Sequence, residues 1–183
     1  MQLEVLNKGY TYHIYNRGIN SVTIFMSDEN KRYFLQLLKK YIQDKATVYA
    51  YCLMNNHFHI LLTVNCEGEV ITQSLSNLFN AYAKAFNKAN QRTGSLFEKH
   101  FKRISVNNEE YVRQLIVYIH LNPMHHFNLD YRHYKYSSYM ACISDNDTDI
   151  ARKDVIALFG NRDNFIFVHN QKKDILNEKY TFE

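Results

Sequence analysis

The sequence predicts an α+β fold: an antiparallel sheet with helices on one face, plus a helical C-terminal tail. Segments of two-residue alternation and segments of helical spacing succeed one another in the order β-α-β-β-α-β-α. That order fits a ferredoxin-like (RRM-like) sheet. The chain has 183 residues, so it can bury a real core, and one domain is the default. It contains only 1 Pro and 5 Gly, which argues against long flexible linkers.

The elements follow in chain order. Residues 10–17 read as the first strand. Ser27 can cap a helix reaching to residue 44, with Phe34, Leu37, Leu38 and Tyr41 as its inner face. Residues 47–54 and 57–64 are strands joined across Asn55-Asn56, a pair that tolerates hairpin-turn geometry. Residues 70–89 form a second helix, with Ile71, Leu75, Leu78, Phe79, Tyr82 and Phe86 inward. After a loop at Gln91-Arg92-Thr93-Gly94, residues 101–106 read as a strand. Residues 108–121 are helical, because Tyr111, Val112, Leu115, Ile116 and Ile119 recur at helical spacing. Asn107 or Asn108 can cap that helix, Glu109-Glu110 suit its positive end, and Pro123 marks its stop. From residue 131 the chain reads as a helical tail on the same domain. It has amphipathic stretches at 138–143 and 152–159, then a charged end.

Two places carry chemistry. In His57-Phe58-His59 the imidazoles lie two apart and share one strand face, while Phe58, Ile60, Leu62 and Val64 form the apolar one. Two adjacent imidazoles on rigid backbone make half of a metal site; the plain alternative is the solvent-facing side of an amphipathic strand. Tyr118 and Asn122 lie four apart, one helical turn from each other. They pair a nucleophile that needs activation with an oxygen ligand, or else Tyr118 is an ordinary core aromatic among the 15 tyrosines.

Five segments resemble the REP-associated tyrosine transposases, which are single-tyrosine HUH (His-hydrophobic-His) transposases of insertion sequences. They are Tyr12-His13-Ile14-Tyr15-Asn16-Arg17-Gly18, Met54-Asn55-Asn56-His57-Phe58-His59-Ile60-Leu61, Gly94-Ser95-Leu96-Phe97-Glu98-Lys99-His100-Phe101-Lys102, Tyr118-Ile119-His120-Leu121-Asn122-Pro123 and Tyr134-Lys135-Tyr136-Ser137-Ser138-Tyr139. The chain departs from the family's usual proline at Asn55, its Val-Arg-Ala-Gly at Met124-His125-His126-Phe127, and its Pro-Trp at Lys135-Tyr136. None of these changes removes a residue of the implied site.

The resemblance implies a catalytic core over residues 1–130 and a helical tail over 131–183. His57, His59 and the Asn122 amide oxygen would hold a divalent ion, with His120 and His125 as the alternatives to Asn122. A neutral donor set without cysteine suits Mg2+ or Mn2+, although imidazole also binds zinc. Tyr118 would attack a phosphodiester and keep the 5′ end as a phosphotyrosine. The implied partner is single-stranded DNA with hairpin or palindromic ends, and both homodimers and monomers occur among related transposases. Arg17, Lys84, Arg92, Lys99, Lys102 and Arg103 are candidate phosphate contacts, with a solvated surface charge as the plain alternative for each. Lys102 and Arg103 alternate on a strand, so at most one faces the site. Tyr12, His13 and Asn16 are candidates for base contacts.

Composition agrees without deciding. A net charge of +4 permits a nucleic-acid partner, and aromatics at 15% can stack unpaired bases. The 3 cysteines show no metal spacing, which suits a reducing cytosol. There is no signal peptide and no membrane-spanning run, so a cytoplasmic, nucleoid-associated protein is expected. No phosphate-binding Gly-x-x-x-x-Gly-Lys loop occurs, in keeping with transesterification, which needs no ATP. Two other readings stay open: an RRM-like single-strand nucleic-acid-binding module without catalysis, and a water-using metal-dependent phosphodiesterase.

Overall fold

Strand β3 (His57–Val64) lies inside the sheet, and seven of its eight residues are buried. In the computed structural model, which describes residues 4–172, it pairs antiparallel with β1 (Thr11–Arg17) and with β2 (Ala46–Leu53). Strand β4 (Lys102–Val106) pairs with the other side of β1, giving the order β2-β3-β1-β4. This is the ferredoxin-like arrangement expected from the element order.

The two crossover helices cover one face. Helix α1 (Asp28–Ile42) starts at Ser27, whose hydroxyl accepts the Asn30 N–H at 3.3 Å, and acidic Asp28 and Glu29 occupy its first turn. Helix α2 (Gly68–Ala89) packs beside it. The Phe58 ring from β3 meets Phe34 of α1 at 5.0 Å and Phe79 of α2 at 5.2 Å between centroids. Tyr82 stands edge-on to Phe34 at 5.2 Å. Such aromatic pairs each add about 0.5–1.5 kcal/mol beyond the area they bury.

Helix α3 (Glu109–Phe127) packs against β2 and β3 and adds a layer on the opposite face. Asn108 caps it, accepting the Tyr111 N–H at 2.7 Å. The tail then covers its outer side with α4 (Tyr139–Ile143), α5 (Arg152–Leu158) and α6 (Arg162–Lys172). Every residue from Leu115 through Pro123 is therefore buried, so the middle of α3 is enclosed on all sides.

Three details differ from the sequence reading. Pro123 does not stop α3. A proline inside a helix loses one hydrogen bond and clashes with the preceding turn; burial between sheet and tail offsets this, and the helix runs one more turn. It ends at Asn128, in the left-handed region at φ 53°, whose N–H bonds Met124 O at 2.9 Å while Leu129 N–H reaches Pro123 O at 3.1 Å. Neither Asn55 nor Asn56 has positive φ, so the β2–β3 turn is not of the primed hairpin type. Loop contacts hold it instead: the Asn55 carbonyl accepts from the Ile24 and Phe25 N–H groups, and the Asn56 carbonyl from Gly18 N–H. Gly18 is required there, because a Cβ would lie 2.1 Å from Val22 O. Finally, the expected charged end contains α6, whose Phe165 and His169 are fully buried. Its remainder, residues 173–183, lies outside the described residues.

A chain of neutral groups ties α6 to α3. The Phe165 carbonyl can only accept, so His169 Nδ1 donates to it at 2.7 Å. His169 Nε2 then accepts from His120 Nδ1 at 3.0 Å, and His120 Nε2 accepts from the Ser138 hydroxyl at 2.8 Å. Burial, reinforced by His169, holds His120 well below the ordinary imidazole range. The unfolded chain takes up protons below about pH 6.5 that the folded chain refuses. Stability is thus complete above that pH and falls as the pH drops, by about 1.4 kcal/mol per unit for each such histidine. Urea midpoints measured at pH 7.5, 6.5 and 5.5 should decline below pH 6.5, and the slope should be shallower in His120→Gln. Equal midpoints across that range would contradict a neutral buried pair.

Candidate active site

The alternation of β3 sends Phe58 into the α1–α2 core and turns His57 and His59 toward α3. Tyr118 and Asn122, one turn apart on α3, meet them. The Asn122 amide is fixed in orientation, since its Nδ2 donates to the Tyr118 carbonyl at 3.1 Å. Its Oδ1 consequently faces His57 Nε2 at 3.3 Å. The His59 ring lies 5.2 Å from the His57 ring and 5.7 Å, edge-on, from the Tyr118 ring.

The tautomers follow from the partners. Asn56 Oδ1 can only accept, so His57 Nδ1 carries the proton shared with it at 2.8 Å. In a neutral His57 the Nε2 lone pair then faces the Asn122 oxygen, and two acceptors meet. A proton or a cation between them makes that arrangement favourable. His59 is buried, and burial together with His13, His57 and His126 holds it well below the ordinary imidazole range. It is therefore a neutral ligand-type imidazole. Among the described residues, no group of three or more His, Cys, Asp or Glu side chains is placed to hold a metal ion. The Asn122 amide oxygen, 3.3 Å from His57 Nε2, stands beside the two histidines as a further donor. The set of two neutral imidazoles and one amide oxygen fits a divalent ion. His120 is not available for that role, being engaged with Ser138 and His169. His125 does not line the cavity described next.

His57 and His59 line a cavity of about 660 Å³. Arg17, Lys102, Tyr15, Glu98, His126 and Phe127 also line it. Arg17 Nε donates to Glu98 Oε1 at 2.5 Å. Lys102 stands opposite Tyr15 in the β1–β4 register, on the histidine face. The other basic candidates lie elsewhere. Lys84 is exposed on α2, a helix of the opposite face. Arg92 braces the loop after α2 through Asn87 and Ser95. Arg103 alternates away from Lys102 and stacks on Phe101 at 4.1 Å. Lys99 does not line the cavity. Of the candidates for base contacts, Tyr12 is buried with its hydroxyl on Asn7 and Val5, and His13 is 1% exposed. Burial forbids both from reaching bases. Asn16 does line the cavity. Tyr118 is only 5% exposed and Asn122 fully buried, and neither lines this cavity.

Three neighbours of the histidines were not placed there by the sequence reading, which named His13 only as a candidate for base contacts. His13 Nε2 lies 2.9 Å from His59 Nδ1. The His126 ring is 4.9 Å from that of His57. Phe127, 41% exposed, stands at the cavity rim. The signal for His126 was present, since Tyr118, Asn122 and His126 form a helical stripe at intervals of four. That for His13 needed the β1–β3 register, in which Tyr15 faces His59.

A family model described as "Transposase IS200 like" matches residues 7–122, well over half of the chain. The match takes in the whole sheet and α3 as far as Asn122. Among solved structures, the chain is similar to one described as a REP-associated tyrosine transposase bound to a REP hairpin. The TM-score is 0.62 at 16% identity, covering 83% of this chain and 95% of that one, a likeness of fold. No curated protein matches the chain.

Proposed function

Because the chain belongs to the IS200-like transposase family, we propose that this DNA transposase nicks and rejoins single-stranded DNA at hairpin-forming sequences, with Tyr118 as the nucleophile. The observation that carries the reading is the convergence of Tyr118 and Asn122 from α3 on His57 and His59 from β3, with Asn122 Oδ1 3.3 Å from His57 Nε2. The burial of Tyr118 favours an unpaired strand over a stacked duplex. The hairpin held by the structural neighbour supports a hairpin substrate here.

In the proposed reaction the Tyr118 oxygen attacks a backbone phosphorus. A tyrosine O–P bond forms and the P–O3′ bond breaks. The electron pair leaves with the 3′ oxygen, which takes up a proton and becomes a hydroxyl, while the phenolic proton goes to solvent. The 5′ end stays on Tyr118 as a phosphotyrosine. Attack by a second strand's 3′-hydroxyl reverses these changes and frees Tyr118, so the ester is exchanged and not hydrolysed. A divalent ion, Mg2+ or Mn2+, held by His57, His59 and Asn122 would polarise the phosphate and stabilise the leaving oxygen.

The remaining residues prepare the site. Asn56 sets the His57 tautomer and the Tyr118 carbonyl aims the Asn122 oxygen. Arg17 and Lys102 offer positive charge to the backbone, and Tyr15 and Phe127 offer ring faces to unpaired bases.

The test is covalent trapping with a hairpin-bearing oligonucleotide. The parent protein in Mg2+ should give a denaturation-resistant protein–DNA adduct, and Tyr118→Phe should bind the oligonucleotide without forming one. Free ends without adduct would point to a water-using phosphodiesterase, and binding without cleavage to a binding module.

The ligand residues should behave differently from the phosphate contacts. His57→Ala and His59→Ala should cut at less than about 1% of the parent rate while keeping the fold and much of the DNA affinity. Asn122→Ala should lose activity comparably, and Asn122→Asp should retain part of it by keeping an oxygen in place. Parent-level cleavage by either histidine variant would overturn the ligand assignment.

Lys102→Ala should weaken hairpin binding and reduce the slope of log affinity against log salt by about one, whereas Lys84→Ala should change neither. Filter binding at several salt concentrations reads both, and an effect of Lys84→Ala equal to that of Lys102→Ala would misplace the DNA path.

A further inference from the structure

His13 is buried in β1 with 1% of its surface exposed, and nothing in the reaction above uses it. Its Nε2 lies 2.9 Å from His59 Nδ1. The ring centroids lie 5.1 Å apart with 22° between the planes, so the two imidazoles meet edge to edge, as an in-plane hydrogen bond requires, and the Tyr15 ring lies 4.8 Å from that of His13. Strand register enforces this contact: Tyr15 pairs with His59 and His13 with Leu61, so all four face the same way. Burial disfavours a charged imidazole, so His13 is neutral, with one donor and one acceptor.

Between two neutral imidazoles at 2.9 Å, one nitrogen donates and the other accepts. If His13 donates, the His59 proton must sit on Nε2, where a ligand lone pair is needed. If His59 donates from Nδ1, its Nε2 carries the lone pair that a ligand needs. The second arrangement leaves a proton on His13 Nδ1, a buried atom with no hydrogen-bond partner among the described residues. An orphaned buried polar atom costs about 1–3 kcal/mol. A residue that only filled space would not carry that cost, since phenylalanine fills nearly the same volume without it. The nitrogen at the other side of the ring accounts for its presence.

We propose that His13 is a positioning residue, whose Nε2 accepts the Nδ1 proton of His59 and so presents the His59 Nε2 lone pair to the divalent ion. The proposal rests on the metal site of the preceding section. It assigns to a neutral imidazole the role that a carboxylate or carbonyl usually plays behind a metal-binding histidine. A neutral acceptor leaves the net charge of the site unchanged, where a carboxylate would add a negative charge close to the DNA phosphate.

The test measures Mn2+ affinity by calorimetry on the full chain without DNA, so it does not depend on turnover. The parent should bind one Mn2+ and His57→Ala should lose it. His13→Phe, which keeps a ring and removes the acceptor, should bind about 10–100-fold more weakly. His13→Gln, whose amide oxygen can accept the same proton, should recover affinity to within a few-fold of the parent. Parent-like affinity in His13→Phe would overturn the role of His13 and leave the metal site standing. No His57-dependent binding in the parent would overturn the metal site and this proposal with it. Should His13→Phe fail to fold, histidine 15N spectra of the unmodified, Mg2+-loaded protein decide. A proton on His59 Nδ1 is expected; a proton on His59 Nε2 refutes the proposal.

Discussion

The two-residue period of β3 is the constraint from which the rest of the molecule follows. Each strand residue must face one side or the other, and β3 lies between two partners with both faces covered. Phe58 joins the aromatic cluster of α1 and α2, and that choice forces His57 and His59 onto the face of α3. A slip of one residue would bury two imidazoles among phenylalanines and expose Phe58 to the site. The packing free energy of the core therefore also sets the geometry of the chemistry.

The second constraint is the burial of α3 on every side. A helix carrying both Tyr118 and Asn122 has to keep one rotation about its axis, and packing against the sheet supplies only half of that restraint. The tail supplies the other half through the His120, His169 and Ser138 chain. The departures from the family pattern fit this picture. Lys31 of α1 is 8% exposed, and its ammonium donates to Asn55 Oδ1 at 3.2 Å and to the Tyr134 hydroxyl at 3.3 Å, with the Tyr136 ring 5.1 Å away. Asn55 and Tyr136, which replace a usual proline and tryptophan, are thus partners of one buried lysine. Together they join α1, the β2–β3 turn and the tail. Burial pulls the Lys31 ammonium below its ordinary range, and nearby Asp28 opposes that shift.

Much of this was legible in the sequence because the signals were local. Alternation located β3, helical spacing located α1, α2 and most of α3, and Ser27 and Asn108 marked two helix starts through their side-chain oxygens. The pairing of Tyr118 with Asn122 is a property of one helix turn. What escaped was tertiary. Pro123 is tolerated because burial outweighs its local cost, which no window of sequence reveals. Helix α6 carries a continuous apolar run, Phe165-Ile166-Phe167-Val168, that buries Phe165 and leaves Phe167 exposed, so no helical period stood out there. His13 belongs to the site only through β1–β3 register, and Lys84 and Arg103 leave it only through the side of the sheet they occupy.

The central claim is that the β3 and α3 faces converge to make Tyr118 the attacking group. Tyr111, on nearly the same helical stripe, is the competing phenol; it is two turns nearer the helix start and about 16 Å along the axis from Asn122. Mass-spectrometric peptide mapping of the DNA adduct trapped on the unmodified protein tests the claim most directly. The nucleotide should be found on the peptide carrying Tyr118 and assigned to that side chain; a nucleotide on Tyr111, or on any residue outside α3, would contradict it.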